Sequence, residues 1–114
     1  MSKHDALIRL QDMLDYSREA VALTQNRTRA DLDRDRVLSL ALVRLLEIEG
    51  EAANRIPSDV QNMNPNIPWA EIIGLRNRLV HGYGPIDLDI VWRIIITDLP
   101  PLVDAVAKMI EEEA

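Results

Sequence analysis

The longest apolar helical pattern in this sequence runs through residues 31–56, DLDRDRVLSLALVRLLEIEGEAANRI. Its apolar residues recur at steps of three and four and form a wide stripe, which is typical of a helix that buries one face. Thr28 and Asp31 have the spacing of a capping box, which predicts where this helix begins. Pro57 discourages its continuation. This helix is expected to be the spine of a helical core.

Helical patterns also lie on both sides of this spine. Residues 5–25 repeat apolar side chains at steps of three and four and predict a first helix. The segment 57–68 contains three prolines and three asparagines, which favour turns, and predicts a structured loop. A short third helix is expected from residue 68 to about residue 81. A last helix is expected from an N-cap at Asp87 to about residue 112.

The sequence therefore predicts an all-α bundle of four main helices in a single domain, residues 1–114. Pro100 and Pro101 each remove a backbone donor, so they are expected to bend or interrupt the last helix. The chain has no cysteine, which excludes a disulfide framework and a thiolate metal site. It shows neither a secretory signal nor an apolar stretch of membrane-spanning length, so a cytoplasmic protein without a membrane partner is expected.

The net charge of −6 argues at first against a nucleic-acid partner. However, residues 87–114 contain seven acidic and two basic residues, whereas residues 1–86 contain twelve and eleven. Between Ile72 and Ile86 there is no acidic residue, but there are two arginines and one histidine. A positive local field is expected there, which favours a compact phosphate site over a long nucleic-acid groove.

That positive segment contains the residues best suited to chemistry, Arg76-Asn77-Arg78-Leu79-Val80-His81-Gly82-Tyr83. Arginine can hold a phosphate through two hydrogen bonds, and histidine can exchange a proton near neutral pH. Together the two could cut a phosphodiester without a metal. On residue chemistry alone, the simpler interpretation is a histidine that caps its own helix and an exposed arginine.

Helical geometry bears on the same pair. Residues five apart on an ideal helix differ by about 140° in direction, so Arg76 and His81 would not converge by spacing alone. The helix end at Gly82, the reach of arginine or a second copy of the motif across a two-fold axis could each bring them together. A symmetric dimer would pool two arginines and two histidines in one cleft.

The motif resembles the signature of the HepT-like family of HEPN-domain toxins. It matches the ribonuclease pattern as Arg76-Asn77-x3-His81, and Tyr83 matches the HepT-type extension. Further similarity comes from Ile48-Glu49-Gly50-Glu51-Ala52, Ile67-Pro68-Trp69 and Asp98-Leu99-Pro100. The resemblance covers nearly the whole chain and implies a HEPN-type up-and-down helical bundle.

This resemblance implies a metal-independent endoribonuclease that needs no cofactor and works as a homodimer with a shared cleft. Arg76 and His81 would be the catalytic pair, and Asn77 would orient a neighbour or the phosphate. His81 would relay protons while Arg76 stabilises the charge on the phosphoryl oxygens. RNA would be left with 2′,3′-cyclic phosphate and 5′-hydroxyl ends. For Asn77, an amide merely solvated near a helix end is an equal alternative.

For Tyr83 the resemblance implies a regulatory role in a type VII toxin–antitoxin system. A minimal nucleotidyltransferase antitoxin would inactivate the toxin by AMPylation of this tyrosine. The added nucleotide would block the cleft by its bulk and its negative charge. Without the rest of the motif, a partly buried aromatic that packs the turn would be the better interpretation.

Two other classes of function stay open. One is a non-catalytic HEPN subunit that binds a nucleotidyltransferase and perhaps its nucleotide. The other is a structural dimer whose motif only caps a helix. Among nearby residues, Gly50 is expected to be a packing position and Glu51 to pair with Arg55 more readily than with Arg76 or His81. Glu47, Glu49 and Glu51 alternate around the helix too much for a metal site.

Overall fold

Helices account for most of the residues described by the computed structural model, which are 3–80 and 85–113. The all-α prediction is confirmed for these residues, where β pairing is limited to one isolated bridge between Val80 and Ile86. The helices are α1 Lys3–Leu23, α2 Arg29–Arg34, α3 Arg36–Asn54, α4 Ser58–Met63, α5 Trp69–Ile73, α6 Leu75–Arg78, α7 Leu88–Arg93 and α8 Leu99–Glu113, with a π-helical turn at Ile94–Asp98 between the last two.

The predicted spine is present as α3, but it begins later than its apolar stripe suggests. Asp35 has extended backbone angles, φ −112° and ψ 93°, and ends α2. Its side chain accepts a hydrogen bond from the Leu38 N–H at 3.0 Å, so it is the N-cap of α3. The Ser39 hydroxyl donates to the Leu32 carbonyl at 2.6 Å and holds the two helices together. The single helix expected over residues 31–56 is therefore two helices.

Helix α3 packs against most of the other helices, namely α1, α2, α5, α6 and α7, while α1 also packs against α8. Its inner face buries Leu42 and Leu46 completely, and Met13 of α1 is equally buried. Such burial of large apolar side chains is the main stabilising term of a helical bundle. None of the described helices is both long enough and apolar enough to cross a membrane.

The segment 57–68, expected to be a loop, contains helix α4. Pro57 directly precedes its first turn, where a proline costs no hydrogen bond. The Gln61 side chain fixes α4 to the end of α3 by donating to the Ile56 carbonyl at 2.9 Å. The helix expected from residue 68 to residue 81 is also divided, because Gly74 separates α5 from α6. One helix was thus not predicted, and two others were predicted as one.

The predicted interruption of the last helix is confirmed, and it takes the form of a widened turn. The Leu99 N–H donates to the Ile94 carbonyl five residues earlier, which is the hydrogen bond of a π-helix. Pro100 and Pro101 lie in the first turn of α8. A proline ring collides with the carbonyl four residues before it, so the wider turn relieves the crowding that an ordinary α-helix would impose. The hydrogen-bond pattern of the last helix therefore changes between α7 and α8.

Gly50 is a packing position, as predicted. A Cβ atom at this residue would lie 2.9 Å from the Ile72 carbonyl oxygen and 3.4 Å from that of Ile73. Both are backbone atoms of α5, so they cannot move aside as a flexible side chain could. The absence of a side chain at Gly50 therefore allows α5 to lie directly against α3.

Glu49 is buried in the core, which the sequence did not indicate. Only 1% of its surface is exposed, and burial raises the pKa of its carboxyl group to about 8. The nearby Ser17 hydroxyl of α1 offsets this shift in part. Within the described part of the chain, neither the Glu49 oxygens nor the Ser17 hydroxyl has a partner in hydrogen-bond geometry. Glu49 is thus a buried carboxyl group with no ion-pair partner among residues 3–80 and 85–113.

Candidate active site

Arg76 and Asn77 lie on the short helix α6, which buried leucines hold against the core. Leu75 and Leu79 are almost completely buried, at the start of α6 and just after its end. Arg76 and Asn77 lie between them and point outward, and the Arg76 side chain is 83% exposed. This arrangement presents a guanidinium group to solvent from a firmly packed element.

Helix α6 ends earlier than predicted, at Arg78 rather than near His81. Val80 instead pairs with Ile86 in the isolated bridge, and the Asp87 N–H donates to the Leu79 carbonyl at 2.9 Å. Asp87 is the N-cap of α7, as predicted, and accepts hydrogen bonds from the N–H groups of Asp89 and Ile90. The angle of about 140° between Arg76 and His81, which assumes a continuous helix, therefore does not apply.

The predicted catalytic residue His81 and the predicted modification site Tyr83 lie outside the described residues. The residues on either side of this segment are described, and the contacts of Val80 and Asp87 hold them together. Val80 and Ile86 therefore lie close together beside the C-terminal end of α6.

A shallow depression of about 140 Å³ lies where α6 meets α3, and Arg76 lines it. Glu47, Glu51 and Asn54 line the same depression from one face of α3. The Arg76 Nε atom lies 4.0 Å from the Glu47 carboxylate. Glu51 lies 3.6 Å from Arg44, so the expected pairing of Glu51 with Arg55 is not the one observed.

Glu47 is the residue near Arg76 that sequence analysis missed. It lies one helical turn before Glu51, and the close contact at Gly50 places the α5–α6 pair over this part of α3. The sequence did contain a sign of this contact. Glu47 and Glu51 have the i, i+4 spacing, so both lie on the face of α3 where Gly50 allows another helix to approach. The Arg76–Glu47 contact is 4.0 Å long and the arginine is mostly exposed, so it is a weak ion pair that leaves the Arg76 side chain free to move.

The positive charge expected around the motif is partly offset in the folded chain. Acidic residues from other helices approach both arginines of α6, with Glu47 near Arg76 and Asp98 at 3.3 Å from Arg78. The two arginines point to different sides, because Arg78 lines a separate groove of about 250 Å³ between α5–α6 and α8. That groove is lined mainly by apolar core side chains, and neither Arg76 nor Asn77 lines it. Arg76 is therefore the more available cation for an external anion.

The carboxylates near the site were compared with the ligand sets that hold metal ions. Across residues 3–80 and 85–113, no group of three or more histidine and acidic side chains has an arrangement that could hold a metal ion. The described residues that line the depression supply a guanidinium, two carboxylates and one amide. Such a set can bind a phosphate through the guanidinium and orient its neighbours through hydrogen bonds.

Comparison with known proteins identifies the family of this chain. The model of the family described as "Ribonuclease HepT-like" matches residues 13–109. A Methanocaldococcus jannaschii protein named as a candidate RNase is 35% identical over 102 residues, which cover 90% of this chain and 94% of that protein. A Thermococcus cleftensis protein named "Probable ribonuclease HepT" is 35% identical over 96 residues, which cover 81% and 87%.

A further relative comes from Caldanaerobacter subterraneus and is also named as a candidate RNase. It is 36% identical over 83 residues, which cover 73% of this chain and 74% of that protein. No solved structure matches the chain. The matched region includes α3, the depression and the whole Arg76–Tyr83 motif, and the chain belongs to the HepT-like ribonuclease family of HEPN proteins.

Proposed function

We propose that this protein is the toxin of a type VII toxin–antitoxin system and acts as a metal-independent endoribonuclease. The observation that carries the proposal is the exposed Arg76 guanidinium, presented from a packed helix and five residues before His81 in the sequence. Arg76 is left available for an anionic ligand, and RNA presents a phosphate at every nucleotide.

In the proposed reaction, the ribose 2′-oxygen bonds to the adjacent phosphorus as the bond from phosphorus to the 5′-oxygen breaks. His81 relays protons by removing one from the 2′-hydroxyl and supplying one to the departing 5′-oxygen. Arg76 stabilises the charge that gathers on the phosphoryl oxygens, and Asn77 orients the phosphate through its amide. The products carry a 2′,3′-cyclic phosphate and a 5′-hydroxyl, so no water or metal enters this step.

The proposed active form is a homodimer in which two chains contribute their Arg76 and His81 to one cleft. One chain supplies a single histidine within the motif, whereas the reaction needs a proton acceptor and a proton donor. Two copies would allow one histidine to act as base while the other acts as acid. This assembly follows what the family resemblance implies.

The test is RNA cleavage in the presence of excess EDTA. The wild-type protein should cut a single-stranded RNA oligonucleotide and leave 2′,3′-cyclic phosphate ends, identified by the intact mass of the fragments. The His81→Ala variant, purified in the same way, should leave the RNA intact and exclude a contaminating nuclease. If the wild type also leaves RNA intact, the non-catalytic subunit of a nucleotidyltransferase becomes the better interpretation.

Regulation by AMPylation makes a separate prediction about Tyr83. Incubation with the partner nucleotidyltransferase and ATP should increase the mass of the chain by whole AMP units and abolish cleavage. The Tyr83→Phe variant should gain no mass and stay active, whereas Tyr16→Phe, which changes the other tyrosine, should behave like the wild type. AMP addition that persists in Tyr83→Phe would assign the modification to another residue.

A further inference from the structure

The depression beside Arg76 has a lining that suits a planar ring. Part of its surface is apolar, because it consists of the partly buried Ile73 and of Gly50, which presents no side chain. Three polar side chains of α3 line the rest, namely Glu47, Glu51 and Asn54. A nucleobase has apolar faces and a polar edge, and proteins read the edge of an unpaired base through hydrogen bonds. The shallow depression offers both kinds of contact next to the guanidinium group.

The two carboxylates make the inside of the depression unsuitable for a phosphate group, because like charges repel. Glu47 lies 4.0 Å from the Arg76 Nε atom, so its charge is balanced at the Arg76 side. Glu51 instead lies 3.6 Å from Arg44, and both of these side chains are more than half exposed. An exposed ion pair contributes little stability, so Glu51 can turn to another hydrogen-bond donor at small cost.

A carboxylate distinguishes the four RNA bases by the donors that each base offers. An ionised carboxylate only accepts hydrogen bonds, and it has two oxygen atoms with which to do so. Guanine presents two neighbouring donors, the N1–H and N2–H groups. Adenine and cytosine place a ring-nitrogen acceptor beside their amino group, and uracil places its N–H between two carbonyl oxygens. Guanine is therefore the base whose edge matches the Glu51 carboxylate.

Asn54 extends this match along the same base edge. It lies three residues after Glu51, so the two side chains are neighbours on the exposed side of α3. Guanine carries the carbonyl oxygen O6 next to its N1–H group. The Asn54 amide can donate a hydrogen bond to O6 while the Glu51 carboxylate accepts from N1–H and N2–H. The two side chains together can pair with all three groups on the edge of guanine.

We propose that the depression is a base subsite that selects guanine in the RNA substrate, with Glu51 and Asn54 as the residues that read the base. The inference rests on the proposed function, because it names the nucleotide that lies beside the phosphate held by Arg76. Arg76 holds the phosphate at the rim, and the side chains of α3 hold the adjacent base. Glu51 and Asn54 set specificity and take no part in the proton transfers.

The choice of base is tested with single-stranded oligouridine RNA that contains one guanosine. The wild type should cut next to guanosine at least about tenfold faster than next to adenosine at the same position, as expected for a bidentate contact to a base edge. Inosine lacks only the N2 amino group of guanosine, so this exchange should also slow cleavage by about tenfold. Equal cleavage rates next to guanosine, inosine and adenosine would overturn the base subsite.

Glu51→Gln tests whether this carboxylate reads the base. Glutamine keeps the shape but replaces one acceptor oxygen with a donor, so it cannot accept from both N1–H and N2–H. The guanosine-to-inosine rate ratio should fall from about tenfold to within about twofold, whereas a purely structural role would slow both substrates equally. Glu71→Gln is the matched control, because Glu71 is exposed on α5 and lines the other groove. A wild-type ratio in Glu51→Gln would remove Glu51 from the proposed subsite.

Binding measurements separate failure of the base subsite from failure of the enzyme. RNA with 2′-O-methyl groups has no free 2′-hydroxyl to attack phosphorus, so fluorescence anisotropy gives its dissociation constant whether or not the protein cleaves. If such RNA binds about tenfold more tightly with guanosine than with inosine but unmodified RNA is not cut, the base subsite stands and the ribonuclease proposal falls. Cleavage at equal rates next to all bases retains the ribonuclease and overturns the subsite. Uncut RNA that binds without a preference for guanosine overturns both.

Discussion

The Arg76→Ala variant should cleave RNA about 10² to 10³-fold more slowly than the wild type, the usual cost of removing one group that stabilises transition-state charge. Its thermal stability should hardly change. The Arg76 side chain is 83% exposed and its nearest carboxylate, on Glu47, is 4.0 Å away, so folding gains at most a weak exposed ion pair. Initial rates on a fluorescent RNA oligonucleotide and a thermal melt measure the two quantities side by side.

Arg78→Ala is the matched control, since it removes the same side chain two residues later on α6. Arg78 faces the other groove and lies 3.3 Å from Asp98. Its removal should leave the cleavage rate within about twofold and lower the free energy of unfolding by about 1 kcal/mol or less. Arg76→Ala should therefore lose activity but keep its stability, whereas Arg78→Ala should keep its activity and lose some stability. Equal loss of cleavage in both variants would point to general electrostatic attraction of RNA and contradict a specific role for Arg76.

Helix α3 shows what a single sequence can predict about this fold. Its apolar stripe is visible because burial of one helical face requires apolar residues at steps of three and four. Its first residue was not predicted, although four charged residues, 33–36, interrupt the stripe between Leu32 and Val37. The actual boundary depends on the backbone of Asp35 and on the hydrogen bond from Ser39 to Leu32, which are tertiary features.

The candidate site shows a similar division between local and tertiary information. Arg76 and Asn77 were identified from a motif, and the structure places both on the outer side of α6. The contact of Arg76 with Glu47 was not predicted, since the choice between Glu47 and Glu51 depends on where α6 lies over α3. That position is set by the close approach at Gly50, a contact between segments more than twenty residues apart in sequence.

Glu49 should make the protein less stable as the pH rises from about 5 to about 8. Burial raises the pKa of this carboxyl group from 4.5 to about 8 in the folded chain. Between these two values the unfolded chain has lost the proton and the folded chain still holds it. Because the unfolded state then binds fewer protons, the free energy of unfolding decreases with increasing pH. The contribution is fully present below pH 4.5 and is lost as the pH approaches 8.

The size of this effect follows from the same shift. Between about pH 5 and about pH 8, each pH unit lowers the free energy of unfolding by about 1.4 kcal/mol, so the whole range corresponds to roughly 4 kcal/mol. The Glu49→Gln variant keeps the shape of the side chain but cannot ionise. It should match the wild type near pH 4.5 and exceed its free energy of unfolding by roughly 2 to 4 kcal/mol at pH 8. Urea unfolding at several pH values provides the measurement.

Glu19→Gln is the control for the general effect of removing a carboxylate, because Glu19 lies exposed on α1. The difference between Glu19→Gln and the wild type should stay nearly constant from pH 5 to pH 8, whereas the difference for Glu49→Gln should grow steadily. Parallel curves for the wild type and Glu49→Gln would mean that the Glu49 carboxylate is solvated or paired in solution, which would contradict its burial without a partner. If the difference in free energy of unfolding between Glu49→Gln and the wild type grows with pH, the buried Glu49 carboxyl group destabilises the folded chain. The destabilisation then comes from its ionised form alone, because glutamine has the same shape and cannot ionise.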